Sequence, residues 1–303
     1  MLKAAVRQAT GAAGLYLPPG GGRSPIPDVA DLRRRQDWRA PRSMISVAGA
    51  DLEEQLAFID AMLTPEIAAT LRARDIYAEI GKASGEQGGM RNADAEVLYT
   101  IVRRQKPARI VQIGTWVSAA AMILAANDAG YAPEHVVIDA EPDIYAKAEA
   151  GRGRLKILDD RPQTTPLEVF TRLGDGDLLF IDSNHAVKAD GEVNRLVLEV
   201  LPRLAPGVLV HFHNINFPYD YGRAILEDDV SFAAEGTLLH AFLAGNSSYR
   251  IGASLSMLHY GAREELKARL PHYSPASDAD GLEIAGGPGE WPSSLWLQRT
   301  RGG

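Results

Sequence analysis

The chain has 303 residues, 46% of them hydrophobic, with 32 basic and 39 acidic side chains and a net charge of -7. That length provides for a full core, and the acidic balance argues against a nucleic-acid partner, which would need clustered Lys and Arg to neutralise phosphates. With no cysteine, disulfides, thiolate nucleophiles and Cys-ligated zinc are excluded, so any metal would sit on oxygen or imidazole ligands.

Taken in order, Leu2 to Ala13 has the pattern of a short helix, although Arg7 and Gln8 break its apolar run and make it a poor signal peptide. No apolar run reaches membrane-spanning length, so the expectation is a cytoplasmic protein without a membrane span. Pro18 to Pro41 reads as loop, and its Arg33-Arg34-Arg35 run as a solvated face or an oligomer contact. Asp51 caps a helix whose Leu52, Leu56, Ile59, Met62 and Leu63 fall at helical spacing, and a second helical piece runs from Pro65 to Ile80. After a Gly/Ser/Gln loop from Gly81 to Gly89, Asn92 to Glu96 looks like a cap ahead of a helix from Val97 to Gln105. Residues 1–90 are thus expected to form an N-terminal extension, serving as lid or oligomer contact, ahead of a Rossmann-like domain over 91–303.

From Ala108 to Gly130 an apolar run (Ile110, Val111, Ile113) turns at Gly114 and Thr115 into an Ala-rich helical pattern. A strand turning sharply into a helix offers a nucleotide-like ligand bare backbone and unpaired N–H groups. Further short apolar runs follow at His135 to Asp139, Leu155 to Leu158, Asp177 to Asp182 and Val208 to Phe212, separated by helical patterns. That alternation specifies an α/β fold, a doubly wound parallel sheet with helices on both faces. A helix near Thr237 to Ala244, an alternating strand from Tyr249 to Leu258, a helix from Ala262 to Leu270 and a last strand from Ser294 to Gln298 suggest an antiparallel closing pair.

Ligands of such sheets bind at the carboxyl ends of the strands. These ends deliver Gly114, Thr115 and Ser118, then Asp139, then Asp159 and Asp160, then Asp182 to His185, and finally His211, His213, Asn214 and Asn216. Asp139 is placed to accept from both ribose hydroxyls, or else caps the next segment. Asp182 with His185 could be a structural ion pair, and strict alternation turns His211 into the core or onto the strand surface. Asp182, His213 and Asn214 form a possible donor set for a divalent ion such as magnesium, with water or substrate completing the shell.

These residues resemble a family, the class I S-adenosylmethionine-dependent methyltransferases of the bacterial small-molecule and glycan-modifying branch. The resemblance runs from Asp94 to Gln298. It is carried by Asp94-Ala95-Glu96-Val97-Leu98-Tyr99, Val111-Gln112-Ile113-Gly114 with Ser118, Leu179-Phe180-Ile181-Asp182-Ser183-Asn184-His185, the run from Glu199 to Ile215, and Ser293-Ser294-Leu295-Trp296-Leu297. It implies a Rossmann-like methyltransferase sheet with an antiparallel last strand. It further implies that Gly114, with Thr115 in the same turn, faces the methionine part of S-adenosylmethionine, Ser118 its carboxylate, Asp139 its ribose, and Asp160 or a neighbour its adenine. Asp182, His213 and Asn214 match metal-holding positions of catechol-type O-methyltransferases, and His185 resembles the general base beside Asp182.

Three positions depart from the family pattern: Gln112 where Glu is common, Trp116 where a small residue is usual, and Asn214 in place of Asp. The reading is an O-methyltransferase acting on a hydroxyl of a sugar or small natural product, as a possible homo-oligomer. The alternatives are a non-catalytic methyltransferase-like subunit that has lost its cofactor, and a metal- or His-dependent enzyme on the same fold without methyl transfer.

Overall fold

Short, largely apolar segments are too brief for buried helices and become strands: β1 Arg109–Ile113, β2 Glu134–Ile138, β3 Lys156–Leu158, β4 Leu178–Ile181 and β5 Leu209–Phe212, followed by β6 Tyr249–Ser254 and β7 Leu295–Arg299. The computed structural model describes residues 26–35, 37–85, 89–115, 117–220, 233–276 and 289–300. The seven strands form one sheet in the order β3-β2-β1-β4-β5-β7-β6. The first five are mutually parallel, and β7 runs antiparallel between β5 and β6. This is the doubly wound sheet with an antiparallel last strand expected from the sequence.

Side-chain alternation sorts the strands onto two cores. Ile110, Leu178, Phe180 and Leu209 face one side, with the helices Asn92–Gln105 and Val117–Asp128 packed over them. Val111, Ile113, Leu179, Ile181, Val210 and Phe212 face the other, under Leu196 to Leu204. The first core also takes in Ile59, Met62, Ile67, Leu71, Ile76 and Ile80. The helices from Leu52 to Ser84 are therefore packed against the sheet's own core.

Several boundaries differ from expectation, each for a local reason. The piece from Pro65 to Ile80 is two helices, Pro65–Ala73 and Ile76–Ser84, because the Asp75 carboxylate accepts from Ala78 N (2.9 Å) and starts a new helix. Asn92 to Glu96 is the first turn of the helix Asn92–Gln105, not a cap before it. The alternation from Tyr249 to Leu258 stops at Ser254, which caps the helix Leu255–Gly261. Leu2 to Ala13, Gly20 to Gly22 and the centre of the Gly81 to Gly89 loop lie outside the described residues. Arg34 and Arg35 pair with Asp31 at the surface. Among the described residues no helix is long and apolar enough to cross a membrane.

A buried acidic cluster fastens the helix Asn92–Gln105 to the segment entering β7. Asp94 accepts from Ser293 N (3.1 Å), Ser294 N (2.9 Å) and Arg91 N (3.3 Å). Glu290 accepts from Ser274 N (2.8 Å) and Ala93 N (3.2 Å). Glu96 meets His272 Nδ1 at 2.8 Å, while its other oxygen is buried without a partner among the described residues. Burial pushes both Glu96 and Glu290 up to about 7, outweighing the hydrogen bonds that favour their charged forms.

A carboxyl whose folded pKa is raised takes up a proton on folding. Its contribution is full below the unfolded value, near 4.5, and is lost as pH rises through about 7. Glu96→Gln keeps an acceptor for His272 and removes that titration. Urea melts at pH 5 and pH 8 are expected to show the parent losing up to ~3 kcal/mol more than the variant between the two. Equal losses in both proteins would contradict this.

Candidate active site

At the end of β1 the chain turns through Gly114, at φ +75. A Cβ there would lie 2.7 Å from the Asp182 carbonyl oxygen, so only glycine lets the ends of β1 and β4 come this close. Backbone bonds from Gly114 N to Ile138 O (3.3 Å), Asp182 N to Ile113 O (3.1 Å) and His213 N to Ile181 O (2.9 Å) align the four central strand ends. Thr115 follows the turn, and its hydroxyl donates to Asp139 Oδ2 (3.0 Å) while accepting from Asp143 N (3.3 Å). Glu141 N donates to Asp139 Oδ1 (2.8 Å). Asp139 thus has one partner on each oxygen, and a carboxylate of about four lone-pair sites keeps acceptor capacity on both.

Asp160 is occupied differently. Its oxygens accept from Thr164 Oγ1 (2.6 Å), Arg161 N (2.8 Å) and Thr165 Oγ1 (3.2 Å), which close the turn after β3. The Thr164 hydroxyl, with the Arg161 N–H, holds this exposed carboxyl below its ordinary value. The structure places Asp160 as a turn cap at the strand end.

Gln112 and Ser118 lie beneath the turn. Gln112 is fully buried, donates to Ser118 Oγ (3.0 Å), and meets His135 Nε2 with its carbonyl at 2.8 Å. Ser118, itself buried, gives its proton to Thr115 O (2.8 Å). What remains on Ser118 is acceptor capacity, which a carboxylate ligand cannot use, so this geometry does not suit the carboxylate contact expected for it. Burial depresses His135 to about 4, and the whole network is neutral. Gln is therefore matched to its position, where a Glu would bring a charge into the interior. Trp116 lies outside the described residues.

Around β4 and β5 the structure brings Asp182, His185 and Asn214 together with a residue the sequence did not single out, Glu235. It opens the helix Glu235–Leu243. His185 Nδ1 lies 2.6 Å from Glu235 Oε2. An ionised carboxylate only accepts, so Nδ1 donates and a neutral ring carries its lone pair on Nε2. Asn214 Nδ2 lies 3.3 Å from that Nε2, and Asp182 Oδ1 lies 3.8 Å from it. Asn214 Oδ1 accepts from Ser293 Oγ (3.2 Å), which fixes the direction of the amide. Burial alone would lower the His185 pKa, but the hydrogen bond and charge of Glu235, with the charge of Asp182, raise it above the ordinary histidine value. Asp182 is pushed up, chiefly by burial. A Glu opening an apolar helix reads as an ordinary first-turn charge, and nothing in its spacing links it to His185, 50 residues earlier.

The donor set expected for a divalent ion does not fit one. His213 Nε2 is bound to the carbonyl of Gly89, and its Nδ1 is buried without a partner among the described residues. Asn214 turns its amide nitrogen to His185 and commits its oxygen to Ser293. Among the described residues no group of three or more His, Asp or Glu could hold a metal. His211 is a core residue, stacked on Phe180 (centroids 4.3 Å apart), edge-on to Trp296, and bonded to Ser294 Oγ (2.9 Å). Burial holds it well below its ordinary pKa.

Residues 111–215 match a family model described as a methyltransferase domain. The matched residues run from β1 through β5 of the sheet, the parallel part that carries Gly114, Asp139 and Asp182 at its strand ends. No curated protein matches the chain in sequence. Among solved structures it is similar to the cofactor-bound protein Rv0187 from MTB, at 15% identity and TM-score 0.44 over 81% of this chain and 96% of that one. The S-adenosylhomocysteine complex of the Bacillus cereus O-methyltransferase aligns at 13% identity and TM-score 0.42, over 78% and 92%. The S-adenosylhomocysteine-bound methyltransferase PaMTH1 of Podospora anserina aligns at 17% and 0.40, over 80% and 88%.

The neutral network under the turn is testable. In Gln112→Glu, a carboxylate would replace the amide facing His135, and the His135 ring is expected to titrate above its parent value of about 4. Histidine NMR titration of both proteins measures this. An unchanged His135 pKa in a folded variant would contradict the assigned contact.

Proposed function

We propose that the chain is an S-adenosylmethionine-dependent O-methyltransferase acting on a hydroxyl of a sugar or other small molecule, with His185 as general base. The observation that carries this reading is the half-buried His185 ring, oriented with Nε2 beside Asp182 at the end of β4, next to the Gly114 turn. Beside that turn Asp139 suits the cofactor, keeping acceptor sites for two ribose hydroxyls. Bound there, S-adenosylmethionine would supply a sulfonium methyl, whose displacement by an oxygen nucleophile releases one proton.

This chain's residues handle that proton. An acceptor hydroxyl replacing the Asn214 amide at His185 Nε2 gives its proton to that nitrogen as the oxygen gains the methyl. The imidazolium so formed lies between Glu235 on Nδ1 and Asp182 at Nε2, two carboxyl groups that favour its charge. No step passes through Asp182, His213 and Asn214 as metal ligands, since two of the three spend their donors elsewhere.

Calorimetry with S-adenosylmethionine and S-adenosylhomocysteine tests the reading. Both are expected to bind the parent, and Asp139→Ala to weaken binding by roughly 10-fold to 100-fold, the value of a hydrogen bond or two to a charged group. His185→Ala is expected to bind S-adenosylhomocysteine as the parent does and to lose roughly 10²-fold to 10⁴-fold in methyl transfer. No heat from either ligand at millimolar concentration, with folded protein, would overturn the proposal in favour of a non-catalytic subunit.

A further inference from the structure

Glu235 comes from a helix that follows β5 in the chain, yet its contacts converge on one residue. Its Oε2 takes Nδ1 of His185 at 2.6 Å, and its backbone N–H donates to the His185 carbonyl at 3.2 Å. Its Oε1 accepts from Ser183 Oγ at 2.9 Å, and that same Ser183 oxygen accepts the His185 backbone N–H at 3.0 Å. The His185 ring, N–H and carbonyl are thus each tied to Glu235, directly or through Ser183. His185 itself sits at φ +59, a left-handed conformation that non-glycine residues keep only where surrounding contacts over-determine it. Glu235 is 1% exposed at its side chain, so water does not compete for its oxygens.

A carboxylate needed only for folding could be satisfied by any nearby donor. Here both oxygens and the backbone nitrogen serve a single imidazole-bearing residue, and the ring's other nitrogen is left facing Asn214 and Asp182. We propose that Glu235 is the positioning residue of the base: it holds His185 in the Nδ1–H tautomer and fixes the ring so that Nε2 alone meets the acceptor hydroxyl. This rests on the reading of His185 as base. Among the described residues, the other charged groups near the ring are Asp182 beyond β4 and Glu192 on the helix Glu192–Arg195, with His213 acting on Asp182. None of these three is hydrogen-bonded to Nδ1, and the Asn214 amide that meets Nε2 agrees with the tautomer held by Glu235.

The test uses the full chain with ¹⁵N-labelled histidine, read by NMR at a pH well above the ordinary histidine value of about 6.5, where the rings are neutral. His185→Gln assigns the signal by its disappearance. The parent is expected to show His185 as the Nδ1–H tautomer. Glu235→Ala is expected to lose that form for the Nε2–H form favoured by an unconstrained ring, and Glu235→Asp to recover it in part. The buried rings of His135, His211 and His259 report whether the core is intact. Retention of the Nδ1–H tautomer in Glu235→Ala with those signals unchanged would overturn the proposal.

If Glu235→Ala does not fold, the isosteric Glu235→Gln is expected to lose the far-downfield Hδ1 proton of a charge-assisted bond, and its persistence would overturn the proposal equally. Calorimetry with S-adenosylhomocysteine on the same samples separates the two readings. A parent that shows the tautomer but binds no S-adenosylhomocysteine refutes the methyltransferase reading. A parent that binds it without the tautomer refutes the role of Glu235.

Discussion

The approach of Gly114 to the Asp182 carbonyl sets the rest of the site. With no Cβ at 114, β1 and β4 stay in register to their last residues, and Asp182 N can donate to Ile113 O. β2 and β5 are tied at the same level by Gly114 N and His213 N. Strand ends that finish together put Thr115, Asp139, Asp182 and His213 on one edge of the sheet, where each parallel strand releases its chain into a loop.

Beneath it, the interior holds more polar groups than a hydropathy pattern suggests, and their pairing explains why they are tolerated. His135 is neutral against Gln112, His211 against Ser294 and Phe180, and His259 against Tyr273. Burial lowers all three; for His135 and His259 the stabilising neutral form is lost as pH falls from about 6.5 towards 4. Glu96 and Glu290 slope the opposite way, losing stability as pH rises through about 7. Stability contributions from these two sets therefore oppose one another across the same mildly acidic range. Such pairing also bears on chemistry: the divalent-ion reading fails because His213 and Asn214 commit their donor atoms to Gly89 and Ser293, whereas the second nitrogen of His185 meets the Asn214 amide, at 3.3 Å, beside Asp182.

Much of this was legible in the sequence, and what was not has identifiable causes. Short apolar runs located the parallel strands because both faces of each are buried, and strand periodicity gave Asp139 and Asp182 as strand-end residues. Alternation also allowed His211 to be read as a core residue. Glu235 was missed because its meaning depends on a contact between segments far apart in the chain. The break at Asp75 and the end of β6 at Ser254 were missed because both caps sit inside runs whose apolar spacing continues unbroken. Gln112 looked like a departure at a ligand contact. Its partners His135 and Ser118, which only the fold brings to it, make it part of a neutral buried network.

A crystal structure of the chain grown with S-adenosylhomocysteine tests the central claim most directly, that the edge formed around Gly114 is a cofactor and acceptor site. The account predicts the ribose hydroxyls on Asp139 and the thioether sulfur over the Gly114 turn, on the side facing His185 Nε2. A turn filled by the Trp116 side chain, or ligand density away from Asp139, would contradict it.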